Sequence, residues 1–393
     1  MKAEPSVNRN FGEDVRFLAE HLDPVALEQE DGAARILVAP AFQGRVMTST
    51  AAGETGTSFG WMNYDLIRSG AKQPHIHVFG GEDRFWLGPE GGQYAIFFEP
   101  GTPFDFDHWQ TPEAIDTAAY AIESRSTDFV TFRHEARVRN WSGFSFDIGI
   151  HRKLDLLDRE RIAQQLNIQL PADLPVVGYQ SENRLTNTGP NDWVSQSGLL
   201  SIWILGMFKP SDATTILLPI RPGAESDLGP RVNAAYFGPV PPERLVVDEE
   251  LLYYLGDGKE RGKIGVSPAR ARPICGSYDP VLNTLTVVQF TLPEDVQDKP
   301  YINSMWQMQK EPFRGDVVNA YNDGPPTPGA APLGPFYELE SSSPALALAC
   351  GESATHIHRT YHFQGTPEQL NPIAQAVFGV GIEAITAVFS PKA

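Results

Sequence analysis

Between Ser142 and Leu157 the chain reads SGFSFDIGIHRKLDLL, with Phe144, Phe146, Ile148 and Ile150 at every second position and Ser145, Asp147, Gly149 and His151 between them. Successive side chains of a strand point to opposite faces, so this run predicts a half-buried β-strand. Strand-like runs recur in ARILVAPAF, QYAIFF, DFVTFRHEARV, TTILLPI, RLVVDEELLYYL and NTLTVVQFTL, each bounded by Gly, Pro, Asn or Asp. The chain holds 35 Gly and 33 Pro but is 41% apolar, which means many turns between short elements rather than disorder. Stacked antiparallel sheets, an all-β fold, are the expectation.

Helical spacing is confined to EDVRFLAEHL, DRERIAQQLN and PEQLNPIAQAVFGV, which read as short peripheral helices on a β core. The Pro/Gly-rich segment 321–335 is followed by another strand-like stretch, FYELESSSPALALACG, and so reads as an ordered loop. We expect one domain over 1–393, with an N-terminal helical extension (1–30) and a C-terminal helical segment (366–393). No repeat of 20–50 residues is visible, against propellers and solenoids.

Charge narrows the partners. Lys and Arg total 31 against 49 Asp and Glu, a net charge of −18 that repels phosphate backbones and anionic membranes, so neither nucleic acid nor membrane is expected. No apolar run of about 18 residues could span a bilayer, and the start, MKAEPSVNRNFGEDVRF, lacks the apolar core of a signal peptide. The expectation is a soluble protein, cytoplasmic as the chain stands and periplasmic if a leader has been removed. Cys275 and Cys350 form no ligand spacing or disulfide framework and read as buried thiols.

Four segments carry more polar and aromatic residues than a plain sandwich needs. The first, HIHVFGGEDRFWLGPEGGQYAIFF (75–98), contains His75, His77 and Glu82 at the His-x-His-x(4)-Glu spacing of a cupin-type metal site. No second half of that signature follows, and two histidines at i and i+2 of a strand share a face by periodicity alone, so no metal site is assigned. No cofactor is expected; the many carboxylates leave calcium open, but no EF-hand-like loop supports it. The glycines instead suit a turn that aims Arg84, Trp86 and Glu90 into a cleft, offering a donor fork, a stacking platform and an acceptor or acid. A buried Arg–Glu pair with a core tryptophan is the plain structural alternative.

The second segment is SENRLTNTGPNDW leading into SGLLSIWILGMF, with Trp203 in an aliphatic run. The third, YINSMWQMQKEPFRGDVVNAYNDG, brings Trp306, Asp316, Asn319, Tyr321, Asn322 and Asp323 together in sequence; YNDG alone is a plausible turn, so Asn322 and Asp323 are read as turn residues. Lys263 in GKERGKIG reads as a solvated turn lysine. The fourth, FYELESSSPALALACGESATHIHRTYHFQG, holds Glu338, Glu340, His356, His358 and His362.

In that last segment, a Leu-Glu dipeptide, a short irregular run, a GE turn and a histidine-bearing strand ending in an aromatic resemble the C-terminal part of galactose mutarotase-like (aldose 1-epimerase-like) proteins. APAFQGRV resembles the family's early strand and turn, NRLTNTG the strand before its first active-site element, and GGEDRFWLGPE its first active-site loop. In order, these span roughly residues 30–365. The resemblance implies a large twisted β supersandwich whose concave face binds a sugar. It further implies acid/base opening of a pyranose, in which a glutamate removes the anomeric proton and a histidine protonates the ring oxygen. Glu340 matches the base. The acid does not match: GLLSIWILGMF has no histidine and places Trp203 there, which suits stacking on a pyranose. Glu90, His356 and other acidic or histidine residues remain candidates for the acid, with Arg84, Trp86, Trp203, Trp306, Asp316, Asn319, Tyr321 and His358 as candidate binding residues. The expected partner is a mono- or oligosaccharide. A non-catalytic carbohydrate-binding protein and a glycoside hydrolase or lyase with paired carboxylates stay open as alternatives.

Overall fold

The alternation is realised along Ser145–Leu157, where Phe146, Ile148, Ile150, Arg152 and Leu154 are buried and the residues between them are partly exposed. This computed structural model describes residues 9–390. Its largest sheet has ten antiparallel strands, in the spatial order Leu245–Val247, Leu251–Leu255, Thr215–Pro219, Ile274–Asp279, Thr284–Phe290, Ser353–Gln364, Val176–Asn187, Ser145–Leu157, Phe129–Arg139 and Ala121–Arg125. Against it lies a five-stranded sheet in the order Gly262–Val266, Val318–Asn322, Tyr337–Ser342, Ser201–Phe208 and Arg84–Gly88. A three-stranded sheet, Val25–Glu28, Arg35–Ala39 and Arg45–Thr50, contributes Val25, Leu27, Ile36, Val38 and Val46 to the same core.

The core fills the space between the sheets. Phe85, Leu87, Ile202 and Ile204 of the five-stranded sheet join Phe132, Phe146, Ile148 and Ile150 of the ten-stranded one, and Ala320 and Leu339 join Val288 and Phe290. The outer face of the ten-stranded sheet is covered by helices. Leu370, Ile373 and Phe378 of Pro367–Phe378 and Ile385 of Ile382–Ala387 pack on Leu285, Val287, Tyr361 and Phe363. Pro367–Phe378 starts at a capping box in which Thr366 and Gln369 satisfy each other's backbone amides. The all-β expectation, with few short peripheral helices, matches this architecture.

Several local readings change. QYAIFF is not a strand: Ala95, Ile96, Phe97 and Phe98 are all buried in an irregular segment, and Phe98 makes only an isolated bridge to Trp109. Conversely, the expected glycine-rich loop contains the strand Arg84–Gly88, which is buried throughout. His75 and His77 lie on irregular backbone, not a strand. YNDG is no turn, because Tyr321 and Asn322 end the strand Val318–Asn322. Lys263 sits within the strand Gly262–Val266 and is 9% exposed. The first thirty residues are not purely helical: the helix Phe11–His21 is followed by Val25–Glu28, which pairs with Arg35–Ala39. Residues 1–8 and 391–393 of the expected terminal segments lie outside the described residues. Among the described residues no helix is long and apolar enough to cross a membrane. Cys275 is buried as expected, whereas Cys350 is exposed.

Candidate functional site

Register decides which side chains meet. Antiparallel pairing sets Arg84 against Leu205, Trp86 against Trp203, Glu338 against Met207 and Tyr321, Glu340 against Leu205 and Asn319, and Lys263 against Tyr321. Paired residues share a face, so one face of the five-stranded sheet presents all of these side chains together. Above it opens a cleft of about 740 Å³. Its walls include Arg84, Trp86, Glu90, Trp109, Trp203, Tyr236, Phe237, Arg261, Lys263, Trp306, Tyr321, Asp323, Phe336 and Glu338. A smaller pocket of about 230 Å³, lined by Asp316, Asn319, Asn233 and Ser342, shares Trp203, Tyr236, Lys263 and Met305 with it.

Aromatic rings build the cleft. Trp86 meets Trp203 edge to face at 5.5 Å, and Trp109 stacks on Trp306 at 5.7 Å. The Arg84 guanidinium lies 4.8 Å from the Trp86 ring, and Lys263 Nζ lies 4.8 Å from the Trp203 ring.

Carboxylates occupy the floor. Glu338 and Glu340 are two positions apart on one strand and so face the same way. Arg84 Nη2 donates to Glu338 Oε1. Burial, opposed by Arg84 and reinforced by the neighbouring Glu340, pushes the Glu338 carboxyl up to about 7. Glu340 accepts from Trp203 Nε1 at 2.9 Å and from Lys263 Nζ at 2.9 Å, both through Oε2. Its Oε1 is buried with no partner, and the residue is fully shielded beneath Trp203 and Lys263. Glu90 accepts from the Tyr236 hydroxyl, and burial raises its pKa. In the smaller pocket Asp316 accepts from Asn233 at 2.8 Å, and burial lifts its carboxyl to about 6. Gly265 gives that carboxylate room: a Cβ there would lie 2.2 Å from Asp316 Oδ2.

The residues singled out from sequence therefore divide. Arg84, Trp86, Glu90, Trp203, Trp306 and Tyr321 line the cleft, Asp316 and Asn319 line the adjoining pocket, and Glu340 lies under the floor between them. His356 and His358 lie elsewhere. They point between the two sheets, where Ser341 Oγ, on the opposite face of the strand from Glu340, sits 2.8 Å from a ring nitrogen of each. Burial lowers His356 to about 3 and His358 to about 4, so both are neutral at ordinary pH. The alternative Arg–Glu reading of the first segment is met in altered form: Arg84 pairs with Glu338, and Glu90 binds Tyr236.

The cupin-like spacing disperses. His75 Nδ1 sits 2.7 Å from the Trp109 carbonyl and His77 Nδ1 2.7 Å from Asp116. Glu82 is buried against His362, Tyr179 and Ser49. Among the described residues no group of three or more His, Cys, Asp or Glu is arranged to hold a metal.

Sequence reasoning missed Lys263, Tyr236, Arg261 and Trp109, and passed over Glu338 in favour of Glu340. For Lys263 the signal was a short alternation in RGKIGV, too brief to outweigh the glycines around it.

The packing of a five-stranded sheet on a ten-stranded one matches the fold of galactose mutarotase-like structures. The structure is similar to that of a candidate aldose 1-epimerase of Escherichia coli K12, at 13% identity over 86% of this chain and 98% of that one, with a TM-score of 0.51. It is also similar to the Slr1438 protein of Synechocystis sp. PCC 6803 (13% identity, 92% and 99% covered, TM-score 0.50). A galactose mutarotase-like protein of Lactobacillus casei ATCC 334 gives 12% identity, 87% and 100% covered, and a TM-score of 0.50. At these identities the likeness is one of fold. The chain belongs to the family described as "Family of unknown function (DUF6786)", whose model matches residues 9–389. No curated protein matches it.

Proposed function

We propose that the cleft binds a sugar and opens its pyranose ring by acid/base catalysis, the chemistry of an aldose 1-epimerase, with Glu340 as base and Glu338 as acid. The observation that carries this reading is the pair itself: two carboxyl groups at alternate positions of one strand on the cleft face of the sheet, Glu338 lining the cleft and Glu340 buried directly beneath its floor, in different electrostatic settings. Two residues along a strand span about 7 Å, which suits groups flanking the anomeric carbon and ring oxygen of one sugar. Glu340 takes the proton of the anomeric hydroxyl, the bond from the anomeric carbon to the ring oxygen breaks as the carbonyl forms, and Glu338 gives its proton to the ring oxygen. Rotation of the aldehyde and the reverse steps return the other anomer. A carboxyl raised to about 7 is a proton donor matched to neutral pH. On this reading the acid, expected from sequence to be Glu90 or a histidine, is instead Glu338 on the cleft wall; His356 and His358 lie between the sheets, and the hydrogen-bonded Glu90 and Tyr236 line the cleft to hold a hydroxyl.

The complete burial of Glu340 beneath Trp203 and Lys263 favours a second reading, a carbohydrate-binding protein that keeps the cleft without turnover. Proton NMR of anomeric signals separates the two. The first reading expects faster anomeric exchange of at least one reducing sugar with native protein, lost in Glu340→Gln; saturable binding without exchange in both proteins would establish the second.

A further inference from the structure

Three cationic side chains line the cleft, and two of them are committed. Arg84 is paired with Glu338 and Lys263 with Glu340. Arg261 is not: it forms no ion pair among the described residues, and its Nε is buried without a hydrogen-bond partner. The guanidinium carbon lies over the Phe237 ring, 4.0 Å from its centroid, a contact that does not consume the N–H groups of the fork. Further donors on the cleft wall are also unfilled: Arg84 Nε and the indole Nε1 of Trp86 and of Trp109 are buried without partners. Buried donors without partners cost free energy, and these belong to side chains that line the cleft.

We propose that the cleft selects a sugar bearing a single carboxylate, a uronic acid or a chain ending in one, and that Arg261 is the residue that reads the carboxylate. This rests on the sugar-cleft reading above and narrows its substrate class. An arginine fork fits a carboxylate through two parallel hydrogen bonds, and the Arg261 guanidinium already rests over Phe237. One uncommitted cation matches one negative charge. Glu90, Asp323 and Glu338 also line the cleft; burial raises all three carboxyls, so they oppose a single added carboxylate less than they oppose a phosphate dianion.

The test is isothermal titration of the full-length protein with D-glucuronate, D-galacturonate, D-glucose, D-galactose and glucose 6-phosphate, repeated on Arg261→Gln and Arg261→Lys, with anomeric exchange followed by NMR on the same samples. The expected result is that one uronate binds at least tenfold more tightly than its neutral counterpart. Arg261→Gln should erase that ratio, and Arg261→Lys should restore part of it. A thermal midpoint within a few degrees of native shows that each variant is folded. Equal binding of uronate and neutral sugar, a ratio unchanged in Arg261→Gln, or tighter binding of glucose 6-phosphate would each overturn the inference. Anomeric exchange of neutral sugars alone would overturn it while leaving the epimerase reading standing; absence of binding and exchange for every sugar would remove both.

Discussion

Two sets of buried carboxylates lie on opposite faces of the same five-stranded sheet, and they are built differently. Between the sheets, Glu82 accepts from Ser49 through both backbone and hydroxyl, from the Tyr179 hydroxyl at 3.0 Å and from His362 at 3.0 Å. Beside it Asp83 takes Arg152 and Ser181, and Arg152 also reaches Asn183 and the Gly44 carbonyl. Burial raises the Glu82 carboxyl, but His362, Ser49 and Tyr179 outweigh it and leave its pKa below the ordinary value. On the cleft face, Glu338, Glu90 and Asp316 are all raised, and Glu340 keeps one oxygen unpartnered. A saturated cluster holds a structure together, whereas on the reading proposed above, raised carboxyls beside unfilled donors and acceptors are groups prepared for a ligand.

If that contrast is right, the two sets fail differently when broken. The largest effect on the fold is expected from Arg152→Met, which strands the Asp83 charge in the interior; it should cost about 3–5 kcal/mol in denaturant unfolding. A loss below about 1 kcal/mol would mean that the inter-sheet cluster is not structural. Glu338→Gln keeps an acceptor for Arg84 but removes its counter-charge, so it should cost less in unfolding than Arg152→Met while slowing anomeric exchange by about 10²-fold. In the native protein the proton-donating form of Glu338 is populated below about 7, so exchange should decline as pH rises through that value. The variant should lack this limb, and a profile unaltered by the substitution would move the acid to Glu90.

Glu82→Gln replaces a full acceptor by an amide facing donors, at a cost of about 2 kcal/mol at neutral pH. The folded-state pKa is depressed, so Glu82 contributes stability that is present above the unfolded value and lost as pH falls through the folded one. The gap between native and variant should therefore close below about pH 4.5, the ordinary glutamate range; a gap that widens in acid would contradict the assignment. The smallest effect is expected from Trp306→Phe on the cleft wall, which should weaken sugar binding by about three- to tenfold in titration and leave the thermal midpoint within a few degrees. The same change without effect on binding would take Trp306 out of the site.

The fold was legible because alternation survives wherever one strand face is buried. It failed at QYAIFF, where an aromatic run packs irregularly on all sides and carries no period. The site was legible where residues are close in sequence, as for Arg84, Trp86 and Glu90. In HIHRTYHF the period shows that His356, His358 and His362 share a face, but not that this face turns inward; that follows only from their contacts with Ser341 and Glu82 across the space between the sheets. Lys263 was hidden for the same reason, since its partner Glu340 lies two strands away in the sheet and 77 residues away in sequence.

The most direct test of the claim that the cleft face is chemical and the inter-sheet face structural is proton NMR of anomeric exchange, on a panel of neutral and acidic sugars, for native protein, Glu340→Gln and Glu82→Gln. The account predicts exchange that is lost in Glu340→Gln, whose fold remains intact, and retained in Glu82→Gln despite its lower stability. Exchange that survives in Glu340→Gln, or that follows stability in both variants, would contradict it.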